Sequence, residues 1–364
     1  MVNPHFWRGK KVLITGHTGF KGSWLVLWLK SMGAQVSGYA LAPQTALNLF
    51  TLAEVAGGMH SVIGDIADVI HLQNTFQQQQ PEIVFHLAAQ SLVSDSYHYP
   101  VETYATNVMG TVNLLEAVRQ TASVKAVVNV TSDKCYAHGN AKKNFTEADA
   151  LGGADPYSSS KACAEIITAA YRNSYFADGK VALATARAGN VIGGGDWAAN
   201  RLVPDIMQAY YQKQTLVLRY PDAVRPWQFV LEPLRGYLML AEKLIAQPAQ
   251  FSQAFNFGPA EHSGKSVTWM VNYISKLLDQ NIPIEKPVAS LAEMQYLGLD
   301  SRLAATRLGW RPCLELEQAL QETVYWYQAF QDGVDMPAFT SAQLQTYLAS
   351  LQQHATATTN GLNF

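Results

Sequence analysis

The alternation of short apolar runs with helical segments is the feature that most constrains the fold of this chain. Six runs are apolar almost throughout rather than at alternate positions, which is typical of strands buried on both faces. These runs are Lys11–Thr15, Gln35–Ala40, His60–Gly64, Ile83–Leu87, Ala126–Val130 and Val181–Ala186. Helical patterns between them occupy Phe20–Met32, Asp68–Gln79, Val101–Gln120 and Pro156–Phe176. Repeated βα units of these lengths predict an α/β fold with a doubly wound parallel sheet.

The pattern becomes less regular after about residue 190, which predicts a smaller C-terminal lobe. The 364 residues, 48% of them hydrophobic, suit one large domain with a smaller appendage. We predict a cofactor domain over 1–190 and about 228–260, a substrate lobe over about 191–227 and 261–354, and a flexible tail over 355–364. Phe229–Ile245 and Ala254–Phe257 are expected to return to the sheet. The later segments expected to be helical are Leu202–Tyr211, Ser266–Leu278, Leu314–Ala329 and Ala342–His354.

Composition excludes several classes of function. The net charge of -2 leaves no broad basic face for nucleic acid or for an anionic membrane. The three cysteines, Cys135, Cys163 and Cys313, are far apart and form no CxxC pair, which argues against a zinc knuckle and a disulfide framework. Neither a signal peptide nor a membrane span is recognisable. We therefore expect a cytoplasmic protein without nucleic-acid or membrane partners.

A glycine loop joins the first predicted strand to the first predicted helix. Gly16, Gly19 and Gly22 follow the spacing G-x-x-G-x-x-G rather than the standard G-x-G-x-x-G. Placed between a strand and a helix, such glycines allow a tight turn and a close approach of the backbone to a pyrophosphate. The loop therefore predicts a Rossmann-type dinucleotide site. The residues expected at the cofactor are Gly16, His17, Thr18, Gly19, Phe20, Lys21 and Gly22.

The residues around the expected adenosine leave the choice between NAD and NADP open. The second strand ends in Ser37–Leu41, which contains neither an acidic residue nor an arginine that would mark the ribose. His17 and Lys21 are candidates for the adenosine ribose or phosphates, and a solvated Lys21 is an equal alternative. Asp65, followed by Ile66 after the third strand, is a candidate for the adenine amino group or an ordinary turn aspartate.

Tyr157 and Lys161 form the predicted catalytic pair. Pro156 suits the first position of a helix, so Tyr157 and Lys161 lie one turn apart on one face. An ammonium group beside a phenol is expected to lower the phenol's pKa, and the phenolate can then act as a general base. YxxxK is common by chance. Behind a glycine loop, and after the strand-end hydroxyl of Ser132, it predicts an enzyme that transfers hydride at an alcohol carbon with a nicotinamide cofactor.

These motifs together resemble the extended short-chain dehydrogenase/reductase family over about residues 10–330. Supporting segments are His86–Gln90, which supplies Leu87, Ala88 and Ala89 at the cofactor, 107–111 and 187–191. Within that family, the chain is similar to the nucleotide-sugar 4,6-dehydratases. Their hydroxyl–acid–base triplet is matched by Ser132, Asp133 and Lys134, with lysine replacing the commoner glutamate. The longer strings at 16–22, 132–136, 194–197 and 225–227 are most similar to the members that act on CDP-glucose.

The resemblance implies NAD as cofactor and a cycle in three parts. Tyr157 would take the O4 proton of the sugar while hydride leaves C4 for NAD. Lys134 would remove the C5 proton, which the new ketone acidifies, while Asp133 protonates the departing C6 hydroxyl. Hydride would then return to C6, giving a 4-keto-6-deoxy sugar. That product would enter deoxysugar synthesis, specifically of the dideoxyhexoses of bacterial cell-surface polysaccharide such as the O-antigen of lipopolysaccharide.

The resemblance also implies a set of substrate-binding residues. Asn190 and Arg225 would hold the diphosphate, since an arginine fork suits phosphate. Further candidates are Asp196, Trp197, Arg201, Gln90 and Ser91. Surface salt bridges for the two arginines and core packing for the tryptophan are the alternatives. His86 and His98 have no second ligand at metal spacing, so no metal site is expected.

Other classes of function stay open at this point. A 4-epimerase or reductase of the same family would not need Asp133 and Lys134 for elimination. A cofactor sensor without catalysis would not need Tyr157 and Lys161, and a structural scaffold would not explain these polar residues. The two long predicted helices, Val101–Gln120 and Pro156–Phe176, carry apolar residues on more than one face. In this family such helices pair between subunits, so a homodimer or homotetramer is expected.

Overall fold

The computed structural model describes residues 1–137, 143–259, 264–285 and 296–360, with side chains up to residue 353. The strands, in chain order, are β1 (Lys11–Thr15), β2 (Gln35–Ala40), β3 (His60–Ile63), β4 (Ile83–His86), β5 (Ala126–Val130), β6 (Asn144–Phe145), β7 (Ala182–Arg187), β8 (Val191–Ile192), β9 (Leu216–Val217), β10 (Val224–Pro226), β11 (Gln228–Phe229), β12 (Ala254–Asn256), β13 (Gly264–Ser266), β14 (Ile284–Glu285) and β15 (Gly298–Leu299).

Helices surround these strands. The α-helices, in chain order, are α1 (Pro4–Trp7), α2 (Phe20–Ser31), α3 (Leu49–Leu52), α4 (Val69–Gln79), α5 (Val93–His98), α6 (Pro100–Tyr104), α7 (Gly110–Arg119), α8 (Pro156–Ser174), α9 (Leu202–Gln212), α10 (Leu231–Ala246), α11 (Pro248–Phe251), α12 (Val267–Leu277), α13 (Leu316–Gln331) and α14 (Met336–Asn360). A 3-10 turn covers Asp133–Cys135, and π-helical turns cover Ala105–Met109 and Ala304–Leu308. No helix in the described part of the chain is both long and apolar enough to cross a membrane.

Seven parallel strands form the central sheet in the order β12-β7-β5-β4-β1-β2-β3. Val12 of β1 pairs with Val36 of β2 on one side and with Ile83 of β4 on the other. The chain therefore winds outwards in both directions from the boundary between β1 and β4. In such sheets, ligands bind in the crevice at the carboxyl ends of the strands where the winding reverses. The predicted doubly wound, Rossmann-type sheet is confirmed.

Apolar side chains cover both faces of this sheet. Leu13, Val84, Val127 and Leu183 point to one face, where the buried residues of α4 and α7 pack against them. The alternate residues of the same strands point to the other face and pack with those of α2 and α10. Burial on both faces explains why these strands have continuous apolar runs.

The second lobe shares this larger core. The cluster that contains the α2 and α10 side chains continues into α12 and α13 through residues such as Ile274 and Trp326. Short pairs of strands complete the lobe: β8 with β11, β9 with β14, β6 with β15, and antiparallel β10 with β13. β12 pairs with β7, and α10 contacts β5 and β7. The division into two domains stays a prediction, because one core joins the two regions.

Three segment predictions differ from the structure. Phe229–Ile245 does not return to the sheet as a strand, because most of it forms α10, which packs on β5 and β7. The segment expected as one helix over Val101–Gln120 is divided into α6, the π turn at 105–109 and α7. The last helix begins at Met336, earlier than expected, because Pro337 suits the first turn of a helix. It continues to Asn360, and the flexible tail over 355–364 stays a prediction. Residues 361–364 lie outside the described residues.

Candidate active site

A cavity of about 1310 Å³ runs along the carboxyl edge of the sheet. The glycine loop and the ends of β2, β3 and β4 form one end of it. The residues after β5 and the start of α8 also line it, and residues 188–205 and 216–227 complete its wall. The cavity therefore brings together the predicted cofactor, catalytic and substrate residues, with the exception of His17.

The glycine loop has the geometry that a bound dinucleotide requires. Gly16 has a φ of +77°, and a Cβ added to it would lie 2.7 Å from the backbone nitrogen of Ala88. A Cβ on Gly22 would collide with the carbonyl oxygen of Gly16. Helix α2 begins at Phe20 without a side-chain cap at Gly19, so its first N–H groups are available to an anion. These residues fit the pyrophosphate of a dinucleotide.

His17 and Lys21 lie elsewhere than expected. The buried His17 ring turns away from the cavity, with Nε2 2.7 Å from Ser61 Oγ, so only its backbone remains available to a bound phosphate. Lys21 lines the cavity and donates to the Tyr237 hydroxyl at 3.1 Å. Burial, together with the charges of Lys161 and Arg201, lowers the pKa of Lys21 to about 7. Lys21 therefore lies near the catalytic residues, neither in solvent nor at the adenosine end.

The other predicted cofactor residues line the cavity. Asp65 Oδ1 accepts a hydrogen bond from the Ala67 N–H at 2.9 Å, so the carboxylate stabilises its own turn as well as facing the cavity. Ile66, Thr18, Phe20, Leu87, Ala88 and Ala89 also line it. The N–H groups of Leu87 and Ala88 both donate to Thr15 Oγ1 at 3.2 Å, which joins β1 to β4 at the crevice.

Tyr157, Lys161 and Ser132 meet in the middle of the cavity. The Asp155 carboxylate accepts from the Ser158 N–H at 2.9 Å and starts α8, which places Tyr157 in its first turn. The Ser132 side chain lies beside the Tyr157 hydroxyl and favours the phenolate. Burial raises the pKa of Tyr157 to about 12 and lowers that of Lys161 to about 8. The expected lowering of the phenol's pKa is therefore wrong for the chain alone, because burial disfavours the phenolate more than nearby charge favours it.

Asp133 is held as a buried acid directly after β5. Its Oδ1 accepts from Ser132 Oγ at 3.0 Å, and its Oδ2 is buried without a hydrogen-bond partner among the described residues. The carboxyl lies over Gly189, where a Cβ would collide with it. Burial, as the largest cause, raises the pKa of Asp133. A carboxyl group with a raised pKa keeps its proton to a higher pH than a free one, which suits a proton donor.

Lys134 is the third residue of the triplet and also lines the cavity. Its backbone N–H donates to Ser132 Oγ at 3.2 Å, which closes the tight turn after β5. The turn places a hydroxyl, a carboxyl and an amine on three consecutive residues around the same space. That arrangement can supply both an acid and a base to one bound sugar.

Arg201 and Arg225 both face the cavity. Arg201 donates to Asp196 Oδ2 at 2.9 Å and to Ser91 Oγ at 2.8 Å. Arg225 is 4% exposed and donates to the Val224 carbonyl at 2.9 Å. Arg201 therefore forms the salt bridge that the alternative interpretation expected, and it also faces the cavity. A surface position is excluded only for the buried Arg225. Asn190, which lines the same wall, lies within reach of the space beside Arg225.

The remaining substrate candidates have additional roles in packing. Trp197 lines the cavity, but its ring also packs against Tyr327 and Phe330 with centroids 5.2 Å apart in both cases. Gln90 lines the cavity, and its carboxamide bonds to both the N–H and the carbonyl of Leu92. Both interpretations from the sequence, contact with the cavity and packing, therefore apply to Trp197.

Two residues that hold the site in position were not predicted from the sequence. Asn107, in the π turn, accepts from the Gln90 N–H at 2.8 Å and donates to Ser160 Oγ at 2.9 Å. It thereby fixes the loop after β4 against α8. Tyr237, the partner of Lys21, lies in α10, far away in sequence. Of these two residues, only Asn107 could have been found from the sequence, because it lies in one of the segments that carry the family resemblance.

His86 is a buried structural residue. Its Nδ1 lies 2.7 Å from Thr15 Oγ1, and burial lowers its pKa to about 3. Within the described ranges, no group of three or more His, Cys, Asp or Glu side chains is arranged to hold a metal ion.

A sequence profile of the GDP-mannose 4,6-dehydratase family matches residues 13–323. The chain belongs to this family. A family member from Salmonella typhimurium strain LT2, a CDP-glucose 4,6-dehydratase, is 46% identical and aligns with 96% of this chain and 99% of its own length. The dTDP-glucose 4,6-dehydratase 1 of Escherichia coli K12 is 28% identical, with 93% and 99% covered. The predicted resemblance to nucleotide-sugar dehydratases is confirmed.

Solved structures of the 4,6-dehydratase type share the fold. The dTDP-glucose 4,6-dehydratase of Bacillus anthracis, solved in complex with NAD, has a TM-score of 0.75 and 25% identity over 90% of this chain and 99% of its own. A UDP-glucose 4-epimerase of Thermotoga maritima, solved with UDP-glucose, has a TM-score of 0.76 and 22% identity over 88% and 99%. The fold is thus shared with both dehydratases and epimerases. The residues of the site therefore have to distinguish the two activities.

Proposed function

We propose that this chain is an NAD-dependent hydro-lyase that converts CDP-D-glucose to CDP-4-keto-6-deoxy-D-glucose. The observation that carries the proposal is the convergence of Asp133 and Lys134 with Tyr157 in one cavity. The match with the Salmonella dehydratase over nearly the whole of both chains agrees with it. The reaction oxidises C4, removes water across C5 and C6, and returns hydride to C6 and a proton to C5.

Tyr157 and Ser132 are assigned to the sugar O4. Both residues line the cavity, and Ser132 lies beside the Tyr157 hydroxyl. A substrate hydroxyl placed between them would pass its proton to Tyr157 as C4 is oxidised. Lys161, one turn along α8, would stabilise the phenolate by its charge and hold the nicotinamide ribose.

Asp133 and Lys134 are assigned to the elimination. Once C4 is a ketone, the C5 hydrogen is acidic, and Lys134 is the base that would remove it. The C6 hydroxyl is a poor leaving group until it is protonated, and Asp133, with its raised pKa, is the acid that would supply the proton. Lysine in the base position is a departure from the commoner glutamate, and in its neutral form an amine can accept the same proton.

The residues present fit NAD, as the collisions predicted for a Cβ at Gly16 and Gly22 indicate. The glycine loop and the start of α2 would hold the pyrophosphate, and Asp65 and Ile66 would lie at the adenosine. Leu87 to Ala89 would line the space between them. Bound NAD would supply a hydride acceptor that is restored in each turnover.

A 4-epimerase is the second candidate, because epimerases share this fold. An epimerase must oxidise and reduce C4, for which Tyr157, Lys161 and Ser132 suffice. It has no use for a buried acid at C6, so the environment of Asp133 favours dehydration. The same catalytic residues argue against a sensor that binds NAD without catalysis.

We further propose that the protein is a homodimer. An exposed apolar surface covers α5 to α8 and includes Tyr99, Val101, Met109, Ile166 and Tyr175, which are 52 to 75% exposed. Exposed apolar side chains on adjoining helices are typical of a protein interface. A second copy of the same helices would bury them in a four-helix arrangement, and stacking of two dimers would give a tetramer.

The cellular setting is also a proposal. Cys135, Cys163 and Cys313 are all free thiols, which agrees with a reducing cytoplasm. The 4-keto group of the product activates the sugar for further deoxygenation or reduction. The enzyme would therefore supply deoxysugar synthesis for cell-surface polysaccharide such as O-antigen.

Isotopic labelling tests this function directly. CDP-glucose with deuterium at C4 should give a product that carries deuterium at C6, because the hydride removed from one carbon is delivered to the other. An epimerase would return the label to C4 in a product of unchanged mass. Product without label at C6 would contradict the proposed cycle.

A further inference from the structure

We propose that Asp205 selects the nucleobase by accepting a hydrogen bond from the exocyclic amino group of cytosine. This inference rests on the proposed function, because it concerns the same cavity and the nucleotide half of the same substrate. It names a residue that would distinguish cytosine from uracil and thymine, a preference that neither the motifs nor the fold explains.

Asp205 lies at the far end of the cavity. It is in the first turn of α9, and the charge of Arg219, which also lines the cavity, acts on its carboxylate. The buried residues Val203, Leu216 and Leu218 make this end largely apolar. Ser132 and Tyr157 lie in the middle of the cavity, so the sugar is held there and the nucleoside extends towards α9 and β9.

The carboxylate of Asp205 has one oxygen engaged and one available. Oδ1 accepts from the Asn200 N–H at 3.2 Å, and the left-handed backbone of Asn200, with a φ of +64°, directs this N–H towards it. Oδ2 makes no hydrogen bond to any part of the chain that the structure describes. Partial burial raises the pKa of Asp205, with Arg219 opposing the shift. A partly buried acceptor without a partner favours a ligand that donates a hydrogen bond.

The chemistry of the ligand identifies the donor. Diphosphate oxygens would be repelled by a carboxylate, and Arg225 offers them a better site. The remaining part of the substrate is the base. Cytosine presents an amino group where uracil and thymine present a carbonyl oxygen, so an ionised carboxylate attracts the first and repels the other two. Asp205 would thus favour the binding of CDP-glucose and disfavour the binding of UDP-glucose and dTDP-glucose.

Asp205→Asn is the decisive variant. Its amide oxygen can keep the bond from Asn200, while its NH₂ group replaces the acceptor by a donor that suits the uracil carbonyl. We expect kcat/KM for CDP-glucose to fall by about tenfold or more and that for UDP-glucose to rise. Asp205→Ala removes the acceptor without adding a donor. It should lose activity on CDP-glucose without gaining on UDP-glucose.

Asp222→Asn is the matched control, because Asp222 is exposed and does not line the cavity. It removes the same charge from a neighbouring loop and should leave the ratio of kcat/KM values unchanged. An unchanged ratio in both Asp205 variants, including an equal loss on all substrates, would overturn this inference. Failure of the unaltered protein to dehydrate CDP-glucose would instead overturn the proposed function, and this inference with it.

Discussion

Arg187 and Glu165 form a buried ion pair beneath the catalytic helix, with Nη2 2.8 Å from Oε2. Both side chains are less than 5% exposed. Glu165 lies one turn after Lys161 on α8, and its carboxylate also accepts from Thr131 Oγ1 at 2.5 Å and Thr185 Oγ1 at 2.8 Å. The pair thereby fixes α8 against β5 and β7, and with it the positions of Tyr157 and Lys161.

Removing one partner of this pair should strongly destabilise the fold. Arg187→Ala would leave the Glu165 charge buried and unpaired, at a cost of about 3–5 kcal/mol in the free energy of unfolding. The matched control is Lys180→Ala, which removes an exposed partner of Asp178 and should give no measurable change. Urea unfolding measures both. A loss of less than about 1 kcal/mol for Arg187→Ala would contradict this account.

Tyr157→Phe should remove catalysis and retain the cofactor. The variant keeps the ring and loses the hydroxyl that accepts the O4 proton, so kcat should fall by about 100- to 10,000-fold. NAD affinity, measured by calorimetry, should stay near that of the unaltered protein. Loss of NAD binding with turnover preserved would assign Tyr157 to the cofactor instead.

Asp133→Asn and Lys134→Ala should separate the steps of the reaction. Asp133→Asn should still oxidise C4, seen as enzyme-bound NADH in the absorbance spectrum, while water loss slows. Lys134→Ala should suppress exchange of the C5 hydrogen with deuterated solvent. Exchange at the normal rate in Lys134→Ala would place the base elsewhere, and normal dehydration by Asp133→Asn would exclude Asp133 as the acid.

Acidification should destabilise the fold through buried histidines. Burial lowers the pKa of His17 to about 4 and that of His86 to about 3, from 6.5. Between pH 6.5 and 4 the unfolded chain binds protons that the folded chain does not, so stability falls as pH falls. Each histidine contributes about 1.4 kcal/mol per pH unit in that window.

A histidine variant measures this contribution. In His17→Gln, the slope of unfolding free energy against pH should decrease between pH 6.5 and 4. His60→Gln, at an exposed site, is the control and should leave the slope unchanged. The same slope in His17→Gln as in the unaltered protein would show that His17 binds its proton equally in the folded and unfolded chains, which contradicts the lowered pKa.

Val101→Glu tests the proposed dimer. Val101 is 75% exposed on α6, so a charge there should leave the monomer folded and separate two copies that bury this surface. Sedimentation equilibrium should show dimers for the unaltered protein and monomers for the variant. Ile284→Glu, at an exposed residue of β14 outside this surface, should remain dimeric. A dimeric Val101→Glu variant would place the interface elsewhere.

The sequence predicted those features that depend on local pattern. The strands could be placed because apolar runs such as Ala126–Val130 are needed wherever both faces of a sheet are covered. The glycine loop was equally readable, since Gly16 and Gly22 face backbone atoms that leave no room for a side chain. Helical spacing places Tyr157 and Lys161 on one face, and their prediction as a catalytic pair also needed the glycine loop and Ser132.

Features that depend on distant contacts could not be predicted. The direction of the Lys21 side chain is set by Tyr237, which is 216 residues away. The π turn at Asn107 depends on partners in the loop after β4 and in α8. The pKa of Tyr157 depends on how completely the surrounding elements bury it, which no spacing reveals. Local sequence pattern thus predicted which residues make up the candidate site. Their pKa values and side-chain directions depend on tertiary packing.

The most direct test of the account is a product assay with purified protein and added NAD. CDP-glucose, dTDP-glucose, UDP-glucose and GDP-mannose would be supplied in parallel, and the products analysed by mass spectrometry. The account predicts loss of one water from CDP-glucose alone, with no net formation of NADH. A product of unchanged mass, or no reaction with CDP-glucose, would contradict it.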